Sequence, residues 1–440
     1  MIHIILALWV SFIVTTFYRR IQGKNIKNLN LKGPVIIAMN HPNAFTDPTV
    51  INFLTYPIRL KYLARGDAFK PGLANWFFEQ LGIVPIFRIQ DGGKEGLKKN
   101  DESYKRVNQL LKRKGKVIVF AEGLCIQERR LRPLKKGVPR MVFGAYDFLK
   151  TDNLIVVPVG INYSNPGKFR STVFYNVGEP ILVKDFIEDY KQNAARAYNK
   201  FLEVLEPKMK ELITHINNKD YDDVVFAIEE LCKKDMLTEQ QLICKNLEHD
   251  FMVTKQITEK VNLAEINNKE ILEKFKTKSK IYFNQLKKHK LKDWLINSNQ
   301  NKFVTPVFLV LRILALLIFS PLYLIGLIGN YLPFFLTQFI AKKIVKKNKE
   351  FYSSVIIAVS LVLFLINYLL WFFISYVFSP TVFWPIAICL ILTLCAWFSL
   401  YYHPFLVKTL GIIRIIKNKA LKYSLLQSRK ELLTLISVME

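Results

Sequence analysis

Cysteine is sparse in this chain of 440 residues. The five residues Cys125, Cys232, Cys244, Cys389 and Cys395 form no CxxC pair and no metal-ligand spacing, and an odd, scattered set suits a reducing compartment. There is no GxSxG elbow and no GxxxxGK[ST] loop, which disfavours a covalent serine enzyme and a nucleotide-phosphate enzyme. Acidic residues are outnumbered: 35 Asp and Glu stand against 63 Lys and Arg, a net charge of +28. Basic residues interleaved with aromatics in the manner of a strand-binding groove are absent, so nucleic acid is not the expected partner. The excess is better matched to anionic lipid, and to anionic substrates, on a cytoplasmic face.

Charge itself is missing from long stretches. Residues 2–18 carry none, and residues 303–340, 351–378 and 381–402 are apolar tracts interrupted only by Arg312. Residues 20–302 read as water-soluble, so the chain is an integral membrane protein with a large exposed part. The first tract is followed by Tyr18-Arg19-Arg20 rather than a small-residue cleavage site. It reads as an anchor over residues 1–20, with the basic residues inside. The lysines of 342–349 and the basic residues after Tyr402 place both segments on the cytoplasmic side. That makes 351–402 a hairpin turning near Ser379-Pro380, and 303–340 a second tight hairpin or re-entrant pair broken at Ser320-Pro321, about four spans in all; the alternative for 303–340 is a single span. Residues 403–440 are then a basic cytoplasmic tail.

Between the anchor and these tracts the pattern alternates. GPVIIAMN (33–40), IRLKYL (58–63), GIVPIFR (82–88), KVIVFAEG (116–123) and LIVVPVGINY (154–163) read as strands. Residues 47–56, 71–81, 101–114 and 138–150 read as helices, the first with Asp47 as its cap. The fold class is therefore α/β over 21–183. Residues 184–302 are rich in Lys and Glu, poor in Gly and Pro, and helical in pattern, with a basic stretch at 274–292 that reads as a solvated face or a face laid on anionic lipid.

The chemistry-bearing residues stand at the strand ends. His41 and Asp47 follow the first apolar run, Arg88 closes the next ligand-bearing one, Glu122 and Gly123 close another, and Pro158 interrupts the last. In α/β sheets ligands gather at the carboxyl ends of strands. A neutral histidine takes a proton from a hydroxyl, a carboxylate on its other nitrogen fixes the tautomer, and an arginine binds phosphate in a fork. Taken singly, His41 and Arg88 are ordinary surface residues and Glu122 a helix cap; their order is what points to a site.

That order resembles the glycerolipid acyltransferases, the phosphate and lysophospholipid acyltransferase superfamily. NHPNAFTD, GIVPIFR, VFAEG with LKKG after it, and VVPVGINY are similar to its four ordered motifs, over roughly residues 30–180. The resemblance implies an acyltransferase-like mixed sheet flanked by helices, followed here by a helical segment and C-terminal transmembrane helices. It implies His41 as general base, Asp47 orienting it, Arg88 on the acceptor phosphate, Asn43, Glu122 and Gly123 in the acceptor site, and Pro158 near the acyl chain. No covalent acyl-enzyme, metal or cofactor is implied; the donor is acyl-CoA or an acyl carrier protein.

Three departures mark this chain. Five residues, not four, separate His41 from Asp47, which resembles a branch related to fungal-type glycerol-3-phosphate and dihydroxyacetone-phosphate acyltransferases. Ala121 stands where a proline is usual, and Leu124-Cys125 where a hydroxyl and an arginine often follow, leaving Arg129, Arg130 or Arg132 to supply the cation. The expected function is acyl transfer to glycerol-3-phosphate or 1-acyl-glycerol-3-phosphate in phospholipid biosynthesis. An aminolipid or other lysophospholipid acyltransferase and a non-catalytic lipid-binding scaffold are the alternatives.

Overall fold

The computed structural model describes residues 2–56, 58, 60–65, 83–86, 102–297, 305–346, 348–379 and 381–439. Arg88 and the helix expected at 71–81 lie outside the described residues. Two compact units share the chain: residues 1–219 with 244–255 and 348–354, and residues 220–243 with 256–347 and 355–440.

The first unit is built on one mixed sheet. Its strands are β1 (Arg20–Lys24), β2 (Val35–Met39), β3 (Leu60–Arg65), β4 (Ile83–Ile86), β5 (Lys116–Phe120), β6 (Ile155–Tyr163), β7 (Thr172–Val177) and β8 (Ile181–Leu182). The order is β1-β7-β6-β2-β5-β3-β4, with β8 also pairing β6. The β2–β5, β2–β6, β3–β5 and β3–β4 pairs are parallel, while β6 runs antiparallel to β7 and β8. All five residues of β2 are buried, as expected of a parallel strand covered on both faces. The five strands expected from the apolar runs are all present. The apolar-run reading passes over β1, which is polar, and over β7, which is buried along its whole length.

Helices 102–112, Gly137–Leu149 and Ala194–Glu211 contribute to the apolar cluster against the sheet, with Val107, Leu111, Val142, Phe143, Phe201, Leu205 and Met209 buried together. Gly160 of β6 lets the chain at Leu212 approach: a Cβ there would collide with the Leu212 carbonyl. The N-terminal helix Ile2–Phe17 is 16 residues long, about 24 Å and shorter than the roughly 30 Å hydrocarbon core. Its last turns are not free, since Ile13, Val14 and Phe17 are buried in the protein.

The second unit is helical. Among the described residues three helices are long and apolar enough to cross a membrane: Pro306–Val345, Lys349–Phe378 and Phe383–Lys417. This corrects the expectation of about four spans. The tract expected to break at Ser320-Pro321 is one helix of 40 residues that runs through Pro321 and Pro333. A proline frees the carbonyl four residues before it, which has no water to bond in hydrocarbon. Both freed carbonyls are recovered here. Ser320 Oγ donates to Leu317 O at 2.9 Å, and Gly329 O accepts from Asn367 Nδ2 at 3.0 Å and Trp371 Nε1 at 3.2 Å. The turn expected near Ser379 does separate the second of these long helices from the third.

Residues 403–440 are not a tail. The third long helix continues to Lys417, and helix Lys419–Val438 packs along helix Lys269–Lys288 with Leu425, Arg429, Leu432 and Ile436 buried. The charged region 184–302 is likewise not one domain, because its helices are divided between the two units. Arg429 Nε reaches Asp293 Oδ1 at 3.0 Å, Arg429 Nη2 donates to Leu231 O at 2.9 Å, and Tyr282 Oη donates to Asp293 Oδ1 at 2.6 Å. The ion pair is enclosed, with side chains 8% and 3% exposed.

Candidate active site

Because β2, β5, β3 and β4 are parallel, their carboxyl ends share one edge of the sheet. Met39 ends β2 beside Phe120, the last residue of β5. The chain then leaves β2 at Asn40, whose side chain clamps β6: its Nδ2 donates to Ile161 O at 3.1 Å and its Oδ1 accepts from Ile161 N at 2.8 Å. Pro42 prevents a further strand residue from donating to the ladder, and Ala44 turns the chain with φ 41°. Helix Thr46–Thr55 follows, with Asp47 in its first turn.

Asp47 was expected to cap this helix; its carboxylate turns back across the loop instead. Oδ2 lies 2.9 Å from His41 Nδ1 and accepts from Asn43 N at 2.9 Å, while Oδ1 accepts from Tyr163 Oη at 2.6 Å. The Asp47 carbonyl accepts from Tyr175 Oη at 2.6 Å. The Asp47 side chain is wholly buried and that of His41 is 16% exposed. A carboxylate on Nδ1 selects the tautomer with the proton there and leaves Nε2 as the proton acceptor. The imidazole also stacks on Phe120, with ring centroids 3.6 Å apart and an angle of 17°. Orientation is therefore set from two sides.

Glu122, at the end of β5, ties this loop to the basic loop. Its Oε1 accepts from His41 N at 3.3 Å and its Oε2 from Arg132 N at 3.1 Å. Burial pushes its carboxyl above the usual range, against the pull of those two N–H groups. A raised folded value means stability that is complete below the ordinary carboxylate range and lost as pH rises through the folded value. Glu122→Gln cannot ionise, so its thermal midpoint relative to wild type is expected to rise from about pH 4 upward. A constant difference across that range, followed by unfolding fluorescence in detergent, would remove ionisation as the cause.

Gly123 turns with φ +66°, and a Cβ there would press on the Lys135 side chain at 3.2 Å. The basic loop is held by Lys135 N donating to Ala121 O at 3.0 Å and Leu131 N donating to His215 Nδ1 at 3.0 Å. Arg130 and Arg132 both hold Glu128, at 2.7 and 3.0 Å. Two guanidinium groups against one carboxylate leave positive charge beside the turn.

Two expected contacts are placed differently. Asn43 is fully buried and spent on protein partners: Nδ2 donates to Tyr18 Oη at 2.9 Å and to Pro166 O at 3.3 Å, and Oδ1 accepts from Ser353 Oγ. Pro158 lies inside β6, opposite Ala38, with its carbonyl accepting from Gly178 N at 2.9 Å. Five residues further, Tyr163 is the β6 side chain that reaches Asp47. Cys125 Sγ accepts from Ala44 N at 3.0 Å, and burial raises its thiol well above the ordinary range, which marks it as packing rather than reactive. Among the described residues no group of three or more His, Cys, Asp or Glu could hold a metal ion.

The sequence reading missed Tyr163, Tyr175, Ser353 and Ser354. Tyr163 had a signal, since it closes an apolar run whose other end is in the sheet. The serines had none: they stand some 300 residues away at the start of an apolar helix. Ser354 Oγ accepts from Thr46 N at 3.1 Å and lies 2.9 Å from Thr46 Oγ1, and Ser353 Oγ donates to Asn43 Oδ1. They hold both ends of the turn that carries Asp47. The double variant Ser353→Ala, Ser354→Ala is expected to lower kcat by about 10- to 100-fold through misplacement of the turn. Threonine at both positions should restore much of it; equal kcat in wild type and the alanine variant would end that assignment.

Part of this chain is similar to known acyltransferases. A family model described as Acyltransferase matches residues 20–162. Over 127 residues the chain is 33% identical to Glycerol-3-phosphate O-acyltransferase 2 of Saccharomyces cerevisiae, spanning 29% of this chain and 17% of that protein. Over 137 residues it is 28% identical to the chloroplastic 1-acyl-sn-glycerol-3-phosphate acyltransferase BAT2 of Brassica napus, spanning 31% of this chain and 37% of that protein. The matched region thus covers well under two thirds of either relative. A crystal structure of a 1-acyl-sn-glycerophosphate acyltransferase from Thermotoga maritima matches 47% of this chain and 79% of that one at 19% identity, with a TM-score of 0.33.

Proposed function

Residues 20–162 are an acyltransferase domain of the glycerolipid acyltransferase superfamily, and from that premise we propose that the protein transfers a fatty acyl group from an acyl thioester to a hydroxyl of a glycerol-phosphate acceptor. The observation that carries this reading is the 2.9 Å contact between His41 Nδ1 and a buried Asp47 at the carboxyl edge of the sheet. His41 Nε2 takes the acceptor's hydroxyl proton while that oxygen attacks the thioester carbonyl. The tetrahedral intermediate collapses to the new ester, the carbon–sulfur bond breaks, and the imidazolium returns its proton to the leaving thiolate. Asp47 stabilises the imidazolium between these steps. No acyl group is attached to the protein.

The acceptor phosphate is assigned to the cations beside the turn, Arg130 and Arg132 among the described residues, together with Arg88. The five-residue spacing between His41 and Asp47 and the yeast relative favour glycerol-3-phosphate; the plant relative makes 1-acyl-glycerol-3-phosphate the competing acceptor. The donor is acyl-CoA or an acyl carrier protein. The three long apolar helices hold the protein in the membrane, the helix Ile2–Phe17 adds an anchor, and the catalytic domain faces the cytoplasm. The test is the purified full chain with one labelled acyl-CoA and each acceptor in turn. Labelled 1-acyl-glycerol-3-phosphate from glycerol-3-phosphate is expected. Transfer to neither acceptor, with transfer to an amine-bearing lipid, would overturn the reading.

A further inference from the structure

Arg312 is the single charge in the apolar tract 303–340, and nothing in acyl transfer at His41 uses it. Its side chain lies against helix Phe383–Lys417. Nε donates to Thr409 Oγ1 at 3.0 Å, Nη2 donates to Phe405 O at 3.4 Å, and the guanidinium carbon stands 4.0 Å from the centre of the Phe405 ring. Thr409 is fully buried and donates in turn to Phe405 O at 2.8 Å. A guanidinium has five N–H donors. Two are used, so three have no protein acceptor among the described residues, and no carboxylate there pairs with it. The sequence offers few: between Asp293 and Glu431 the one acidic residue is Glu350.

The depth of this cation follows from how the two helices cross. A Cβ on Gly326 would collide with the Cys395 carbonyl, and one on Gly329 with the Leu392 side chain, so the helices are closest there. Gly326 is near the middle of helix Pro306–Val345, and Cys395 is near the middle of the uncharged part of its partner. We take that crossing, central to both apolar stretches, as the reference for the midplane. Arg312 and Thr409 each lie about 14 residues from it, or about 21 Å along the helix axis. The hydrocarbon half-thickness is about 15 Å and the headgroups reach to roughly 20–22 Å. On that reckoning Arg312 reaches the level of lipid phosphates, oriented by Thr409 and Phe405, and among the described residues its remaining donors and its charge have no protein partner.

We propose that Arg312, positioned by Thr409 and the Phe405 ring, is a binding site for the phosphate of a membrane phospholipid headgroup. A forked guanidinium matches two phosphate oxygens, and the lipid supplies an anion that the described residues around Arg312 do not. Lipid binding at Arg312 does not depend on acyl transfer.

The test uses the full chain, purified in detergent, stripped of lipid and titrated with phosphatidylglycerol, with bound lipid counted by native mass spectrometry. Wild type is expected to hold one more tightly bound lipid than Arg312→Gln, whose affinity at that step falls at least tenfold, while Arg312→Lys keeps part of it. Inorganic phosphate is not expected to displace the lipid. Displacement would reassign the site to a soluble phosphate and overturn the lipid assignment, and equal lipid retention in wild type and Arg312→Gln would overturn the site altogether. If Arg312→Gln does not fold, Thr409→Val gives the second measurement: weaker lipid binding with unchanged helix content supports the site, and unchanged binding sinks it.

Discussion

His41→Ala is expected to lower kcat by about 10²- to 10⁴-fold, the usual contribution of a positioned general base, with KM for acceptor and donor changed little. The imidazole meets the acceptor only through the proton it removes, so its loss falls on the transition state rather than on substrate binding. The fold should survive. His41 is at the edge of the sheet, and Asp47 keeps the donors from Asn43 N and Tyr163 Oη when the imidazole is gone. Steady-state rates with a labelled acyl donor, beside a thermal midpoint for the same preparation, separate the two effects. A variant that folds and retains kcat within about threefold would mean that His41 is not the base, whatever its contact with Asp47.

Arg429→Leu is expected to cost about 3–5 kcal/mol of stability, the range for removing one partner of an enclosed ion pair. Asp293 would keep the Tyr282 hydroxyl but lose its cation, with its side chain 3% exposed. Burial already pushes the Asp293 carboxyl above its ordinary value against the pull of Tyr282 and Arg429. Without Arg429 the folded value moves further up. The variant's stability is then best below the usual carboxylate range and is lost as pH rises through the folded value. The deficit against wild type should therefore be smallest in acid and largest near neutrality. Asp293→Asn added to Arg429→Leu should recover part of the loss, because no carboxylate is left unpaired. Thermal unfolding in detergent across pH reads all three; a deficit independent of pH would assign the loss to packing alone.

Much of the first unit was legible before any coordinates. Continuous apolar runs bounded by Gly and Pro marked β2, β4, β5 and β6, because strands covered on both faces must be apolar throughout. β1 was not legible, since RIQGK is polar and gains its place by pairing with β7, a partner some 150 residues away. The site was legible as residue types at strand ends and became legible as a set through motif order. Its internal assignments were not. Asn43 reads as a substrate contact, yet burial against Tyr18, Pro166 and Ser353 uses up its amide. Pro158 reads as a strand-end residue only if β6 stops early, and β6 continues to Tyr163.

The membrane region divides in the same way. Length and absence of charge identified the apolar tracts, because a helix in hydrocarbon needs about 20 uncharged residues and little else. Whether Ser320-Pro321 breaks the first of them is decided elsewhere, by whether other groups take up the carbonyls that proline leaves unbonded. Ser320 does so locally for Leu317, but Gly329 depends on Asn367 and Trp371 of a different helix. By itself the amino-acid order determined where apolar surface and reactive side chains fall along the chain, since those are properties of single residues and their local period. Only the tertiary structure decided which of them meet: Asp47 with Tyr163, the turn at 43–46 with Ser353 and Ser354, Arg312 with Thr409. Each of these contacts joins residues about 100 or more apart, and burial forces a polar group to find a partner wherever the fold brings one within reach.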